Sequence, residues 1–124
     1  MSGRDHLQDF LIAEARRPWR DGDCGVMLAL WFRARGGDVP DRRMEAYRDM
    51  IADRFGDMYR AVRRACRIAG LEETLYPKRG DVALIRAGNA VLAAICTGDG
   101  WASKTKTGLL VVKQAAVITA WKVA

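Results

Sequence analysis

The apolar residues of this chain change their spacing once, between Gly70 and Gly80, and this change constrains the fold more than any other feature. Before it they recur every three or four residues, as on helices, and after it they form short runs typical of strands. Helices followed by strands predict an α+β domain in place of alternating βαβ units. With 124 residues, the chain can bury one core, so we expect a single domain over residues 1–124.

The helical part divides at turn-forming residues. We expect four helices, over residues 5–16, 23–35, 41–54 and 57–69. Pro18 ends the first helix, and Asp23 is a suitable N-cap for the second. The second helix is apolar on all sides, which predicts a central, largely buried position. Glycines at 36–37 and at 70 stop the second and fourth helices.

The second part of the chain predicts four to six antiparallel strands in a meander. The strand candidates are residues 82–85, 91–95, 101–103, 109–112 and 118–123. Turn residues at 87–89 and 97–100 separate the first three. We therefore expect helices, including a buried cysteine-bearing one, packed on a carboxy-terminal antiparallel sheet.

The count of histidines excludes much of catalytic chemistry. His6 is the only histidine, so one chain cannot build a metal site that needs two imidazoles. Any Cys–His or Ser–His pair must use His6, which we expect to be solvated near the amino terminus. The cysteines at 24, 66 and 96 are widely spaced, which does not predict a disulfide framework or a zinc site. We expect no metal, no cofactor and synthesis in a reducing cytoplasm.

The apolar runs of the sequence do not predict a targeting signal or a membrane span. The longest apolar runs, residues 26–32 and 90–96, are too short to span a bilayer. The first residues lack the apolar core of a secretion signal. We expect no membrane span.

The net charge of +6 raises the question of an anionic partner. Arginines are concentrated in the middle of the chain, where aspartates and glutamates are interspersed with them. This mixture favours solvated helix faces, and no nucleic-acid motif accompanies the charge. We do not expect a nucleic-acid partner, and a basic module that binds some other anionic partner stays an alternative.

Cys24 is the strongest candidate for a chemically reactive residue. At the start of a helix, main-chain N–H groups and the helix dipole stabilise a thiolate. The same N–H groups can stabilise the oxyanion of an attacked carbonyl. A small buried apolar residue at a helix start is the alternative interpretation of Cys24, whereas Cys66 and Cys96 lie on apolar stripes and are expected in the core.

Several segments together resemble the NlpC-type cell-wall cysteine peptidases, which have a papain-like fold. PWRDGDCG at 18–25 resembles their nucleophile motif, RGDVAL at 79–84 their first strand, and AAICTGDG at 93–100 the next strand and turn. The order of the segments and the terminal AWKV at 120–123 resemble a small branch encoded by tailed phages and prophages, often among tail genes.

The chain departs from that pattern at the catalytic base. The active peptidases carry a histidine on the second strand, and counting from the Gly98 turn places this position at Leu92 or within one residue of it. Their polar orienting residue falls near Lys104. Leucine cannot accept a proton, and a cation cannot orient an imidazole. Loss of one member of such a unit removes nearly all of its catalytic contribution.

The resemblance therefore implies a non-catalytic structural protein at the tip of a phage tail, made in the bacterial host cytoplasm and carried in the virion. Its partners would be other tail proteins, such as hub and distal tail proteins. The alternatives are an active hydrolase of peptidoglycan peptides that uses Cys24, and the basic binding module.

The candidate site residues follow from these arguments. Cys24 occupies a vestigial nucleophile position with Asp23 beside it, and Trp19 and Trp101 are expected to flank the cleft. Arg63 and Arg64 are interface candidates, together with the neighbouring arginines at 60 and 67, because arginine is enriched and lysine depleted at interfaces. Lysines 104 and 106 are expected at the rim or in solvent.

Overall fold

A computed structural model describes residues 5–20, 23–40, 42, 44–46 and 58–123. Its helices are α1 (His6–Arg16), α2 (Asp23–Ala34) and α3 (Met58–Ile68). Arg42 and residues 44–46 are also helical. The rest of the helix expected over residues 41–54 lies outside the described residues.

The strands form one antiparallel sheet with the order β1-β6-β2-β3-β4-β5. They are β1 (Glu73–Thr74), β2 (Val82–Ala87), β3 (Ala90–Cys96), β4 (Trp101–Thr105), β5 (Gly108–Val112) and β6 (Ala116–Trp121). Strands β2 to β5 form the expected meander, but β6 does not extend it. Instead β6 returns to pair with β2, and β1 pairs with its outer edge. The α+β class, with amino-terminal helices on a six-stranded antiparallel sheet, is confirmed.

Local capping sets the helix ends. The Asp5 carboxylate accepts a hydrogen bond from the Gln8 main-chain N–H at 3.1 Å and caps α1. Gly36 and Gly70 follow α2 and α3 with φ of 97° and 76°, in the left-handed region that favours glycine. After each helix, main-chain N–H groups return to carbonyls of the last turn. This is the Schellman arrangement, so the predicted stops are confirmed.

Helix α2 is the centre of the first core. The buried members of this core are Leu7, Met27, Leu28, Trp31, Ala61, Val62, Cys66, Val82, Leu84, Ala93, Ile95 and Trp121. It lies on β3 and β4, while α1 lies on β4 and β5. Val26, Met27 and Leu28 of α2 are buried, as is Trp31. The Trp31 indole Nε1 donates to the Gly80 carbonyl at 2.7 Å, which fixes the carboxy-terminal end of α2 at the start of β2.

The other face of the sheet carries a second core. Its buried members are Ala83, Ile85, Ala94, Cys96, Trp101 and Ala120. All of these buried residues come from strands. The pairing of β2 with β6 shifts register between Leu84 and Ile85, an irregularity of the kind that increases the local twist of a strand.

Candidate functional site at the amino-terminal end of α2

Cys24 is the second residue of α2, is half-buried, and packs against the first core. Asp23, the expected N-cap, is the first helical residue, and its side chain lies outside the described part of the structure. Trp31 marks the opposite end of the helix. Seven residues separate it from Cys24, a rise of roughly 10 Å. Cys24 therefore lies far from the Gly80 carbonyl that Trp31 binds.

Strand β3 presents different residues to the two faces of the sheet. Val91 and Ala93 belong to the first core together with Cys24, whereas Leu92 packs into the second core. Alternate residues of a strand point to opposite faces, so of the positions expected for the missing histidine only the two neighbours of Leu92 lie on the Cys24 side. Both are apolar and cannot accept a proton.

Lys104 is not at the rim or in solvent, which corrects the expectation. It is only 2% exposed, and it pairs across strands with Leu109, which packs against the first core. Its Nζ donates to the main-chain carbonyls of Glu14 and Arg17. These carbonyls lie at the end of α1. The Arg17 main-chain N–H also donates to the Glu14 carbonyl at 3.3 Å, so Lys104 adds a second donor there and supplies one to the Arg17 carbonyl. Lys106, in contrast, is exposed as expected.

A buried ion pair adjoins the Lys104 contact, and sequence reasoning missed it. The Glu14 carboxylate accepts from Arg17 Nε at 2.8 Å and from a terminal guanidinium nitrogen at 2.9 Å. Glu14 is 5% exposed. Its spacing of seven from Leu7 places it on the apolar stripe of α1, which is the signal that could have revealed it.

His6 lies at the wrong end of α2 to serve Cys24. It lines a pocket with Phe10, Trp31 and Arg35, beside the last turn of α2. Cys24 is at the first turn, roughly 15 Å away along the helix. The chain's only histidine is therefore not the base of a cysteine–histidine pair in this arrangement.

The two tryptophans expected at the cleft are separated. Trp19 is half-buried in the segment before α2, and its buried indole Nε1 has no hydrogen-bond partner among the described residues. Trp101 is 7% exposed and lies in the second core, on the face of the sheet away from Cys24. Trp101 is therefore a core residue and does not flank Cys24, which corrects its expected place.

Arg63 and Arg64 are exposed on α3, and the opposite side of that helix is buried. The Arg63 guanidinium lies 5.7 Å from the centre of the Tyr59 ring and donates to its hydroxyl at 3.1 Å. Cys66 is buried on the inner side, as expected. Burial, followed by the nearby Glu73 charge, raises the pKa of the Cys66 thiol to about 12.

The Gly80–Asp81 pair has a structural role. Asp81 is 3% exposed, and its carboxylate accepts from the main-chain N–H groups of Lys78 at 2.8 Å and Val123 at 3.0 Å. Its own carbonyl accepts from the Cys96 N–H at 2.8 Å. Asp81 thus joins the start of β2 to the end of β3 and to the segment after β6.

Comparison with known proteins places the whole chain. A family model described as "Domain of unknown function (DUF6950)" matches residues 2–123. The chain belongs to the DUF6950 family. No curated protein and no solved structure matches it.

The site of this DUF6950 domain has a thiol at a helix start and an apolar strand face beside it. No three potential ligands among histidine, cysteine, aspartate and glutamate cluster as a metal site within the described residues. Within the same residues, no helix is long and apolar enough to cross a membrane. The thiol could act as a nucleophile only with a base that neither His6 nor the facing residues of β3 supply.

Proposed function

We propose that this DUF6950 domain is a non-catalytic structural protein of a bacteriophage or prophage tail, placed at the tail tip and built on an NlpC-like, papain-like fold. The segments that resemble the NlpC-type peptidases support the fold assignment. So does the order of elements, because the cysteine begins a central helix and the sheet follows it in the chain. The tail assignment rests on the resemblance to the phage-encoded branch.

The apolar strand face beside Cys24 carries the non-catalytic part of the proposal. A cysteine hydrolase needs a base that takes the thiol proton and returns it to the leaving group. Val91 and Ala93 share the core with Cys24 and hold no such group. Lys104 is engaged with the end of α1, so its ammonium is committed to a structural contact.

Exposed apolar residues support a protein partner. Leu75 and Tyr76 are 89% and 82% exposed, directly after β1. Val117 and Ile118 of β6 line the same shallow pocket as Leu75. Contiguous exposed apolar surface of this kind commonly marks an interaction site. An assembly protein would bury it against neighbouring tail proteins, such as hub or distal tail proteins.

Hydrolysis assays test the non-catalytic claim. Purified wild-type chain and Cys24→Ala are incubated with peptidoglycan and with small acyl-peptide substrates. Both are expected to release product at the background rate. Turnover by the wild type that disappears in Cys24→Ala would refute the proposal in favour of an active cysteine hydrolase. A Cys66→Ala variant controls for the general effect of removing a thiol.

A further inference from the structure

Helix α3 carries a stripe of exposed arginines that the proposed function does not explain. The arginine stripe consists of Arg60, Arg63, Arg64 and Arg67, all exposed. Their spacing of three, four and seven residues puts them on one face of the helix, over roughly 10 Å. The helix sequence MYRAVRRACRI contains no acidic residue, so α3 cannot neutralise its own stripe.

The arginine stripe also lacks ion-pair partners elsewhere in the described part of the chain. Arg63 contacts Tyr59, and none of the four arginines has a carboxylate partner there. Other basic residues are paired: Arg17 with Glu14, Arg79 with Asp5, and Lys122 with Glu72. Four adjacent unneutralised guanidinium groups repel one another, and an anionic partner would remove that repulsion.

The stripe is held in place by the rest of the fold. Ala61, Val62 and Cys66, on the opposite face of α3, are buried in the first core. The helix cannot rotate to hide its arginines without exposing these residues. The arginines are therefore presented as a fixed row before any partner arrives.

We propose that the arginine stripe docks an acidic helix face of a partner protein, whose carboxylates repeat at intervals of three and four residues. The inference deepens the proposed function and rests on it in taking the partner to be a protein. Guanidinium groups bind carboxylates through two parallel N–H donors, which gives such a contact direction as well as charge. A matching row of carboxylates would pair with all four arginines.

The charge pattern around α3 favours a protein over a nucleic acid. Glu73 is exposed a few residues after Arg67, and the neighbouring Glu72 pairs with Lys122, so the row of unpaired positive charge ends just after the helix. A nucleic acid carries a negative charge about every 1.7 Å along the duplex axis and would continue past the stripe. A protein partner can match a short basic row that ends beside two carboxylates.

Binding to three defined probes tests the proposal with the full chain. Two of the probes are synthetic helical peptides of the same composition. The one-face peptide carries its glutamates along one side of the helix, and the distributed peptide carries them all around it. The third probe is a DNA duplex of arbitrary sequence. At physiological salt, the one-face peptide is expected to bind about tenfold more tightly than the distributed peptide. Equal affinity for the two peptides, or tighter binding of the duplex, would overturn the proposal.

Matched variants locate the contact. Arg63→Glu/Arg64→Glu should abolish the preference for the one-face peptide, whereas Lys106→Glu/Lys113→Glu lowers the net charge equally and should keep it. Arg63→Lys/Arg64→Lys keeps the charge but loses the planar fork, so an affinity loss of severalfold is expected. If the arginine and the lysine charge reversals lower the affinity for the one-face peptide equally, the binding is general charge attraction, and docking at the arginine stripe is refuted. Circular dichroism confirms that each variant is folded.

The peptide-binding test and the test for the chain in virions can fail independently. Absence of the chain from virions with the peptide preference intact would refute the proposed function and leave the docking chemistry standing. Presence of the chain in virions, with no preference for the one-face peptide, would support the proposed function and refute docking at the arginine stripe.

Discussion

The Lys104 ammonium lies 2.5 Å from the main-chain carbonyl of Arg17, across 87 positions of sequence. This contact joins β4 to the end of α1. It supplies a donor to the Glu14 and Arg17 carbonyls at the end of α1, and it places a cation at the negative end of the helix dipole. Lys104 therefore stabilises the packing of α1 on the sheet.

Lys104→Met is expected to lower the free energy of unfolding by about 1–3 kcal/mol, because the Glu14 and Arg17 carbonyls lose the hydrogen bonds that the Lys104 ammonium donates. Methionine keeps most of the side-chain volume, so the effect of the lost hydrogen bonds dominates. Urea denaturation measures it. Lys106→Met, at an exposed position, serves as the control and should change stability by less than about 0.5 kcal/mol. Equal stability of the two variants would contradict the structural role of Lys104.

Adding a histidine at position 91 or 92 tests which side of β3 faces Cys24. Val91→His should increase the rate of Cys24 alkylation near neutral pH, because an imidazolium close to a thiol favours the thiolate. Leu92→His places the imidazole in the second core and should leave that rate unchanged. Mass spectrometry of the labelled peptide measures the rate. A faster reaction in Leu92→His only would show that the face assignment is wrong.

The Cys66 thiol should make stability fall at alkaline pH. Its pKa is raised from 9.0 to about 12 by burial in the folded state. Between these two pH values the unfolded chain loses the thiol proton and the folded chain keeps it, so ionisation favours unfolding. Stability is therefore expected to fall more steeply from pH 9 to 12 in wild type than in Cys66→Ala. Parallel curves in urea denaturation would contradict the burial of this thiol.

The Asp5 cap should show the opposite pH dependence. The Gln8 N–H, followed by Arg79, lowers the pKa of the Asp5 carboxyl below its ordinary value of 3.8. Its ionised form thus stabilises the folded state above that pH, and the contribution is lost as the pH falls through the lowered pKa. Asp5→Asn is expected to melt below wild type at pH 7, and the difference should shrink toward pH 3. A constant difference across this range would exclude a charge contribution.

Local signals predicted much of the fold. Gly36 and Gly70 mark helix ends because a left-handed residue is needed there, whatever the rest of the chain does. The first helix, predicted over residues 5–16, is observed over His6–Arg16, because Pro18 limits it at one end. The switch from helical to strand spacing is likewise visible within short windows.

The site residues depend on contacts that short windows do not contain. The expected histidine position, at Leu92 or within one residue of it, leaves the strand face undefined, because a shift of one residue reverses the face. Trp101 lies in the second core because it pairs with Cys96 across β3 and β4, a register that strand spacing does not reveal. Lys104 is buried because α1 ends over β4, a tertiary relationship between distant segments.

The most direct test of the tail assignment is a search for this chain in purified particles. Quantitative mass spectrometry is applied to virions from an induced prophage or phage that encodes it, with the major tail protein as reference. A fixed, low copy number per particle is expected for a tail-tip component. Presence of the chain in the host lysate, with none retained in purified virions, would contradict the tail assignment.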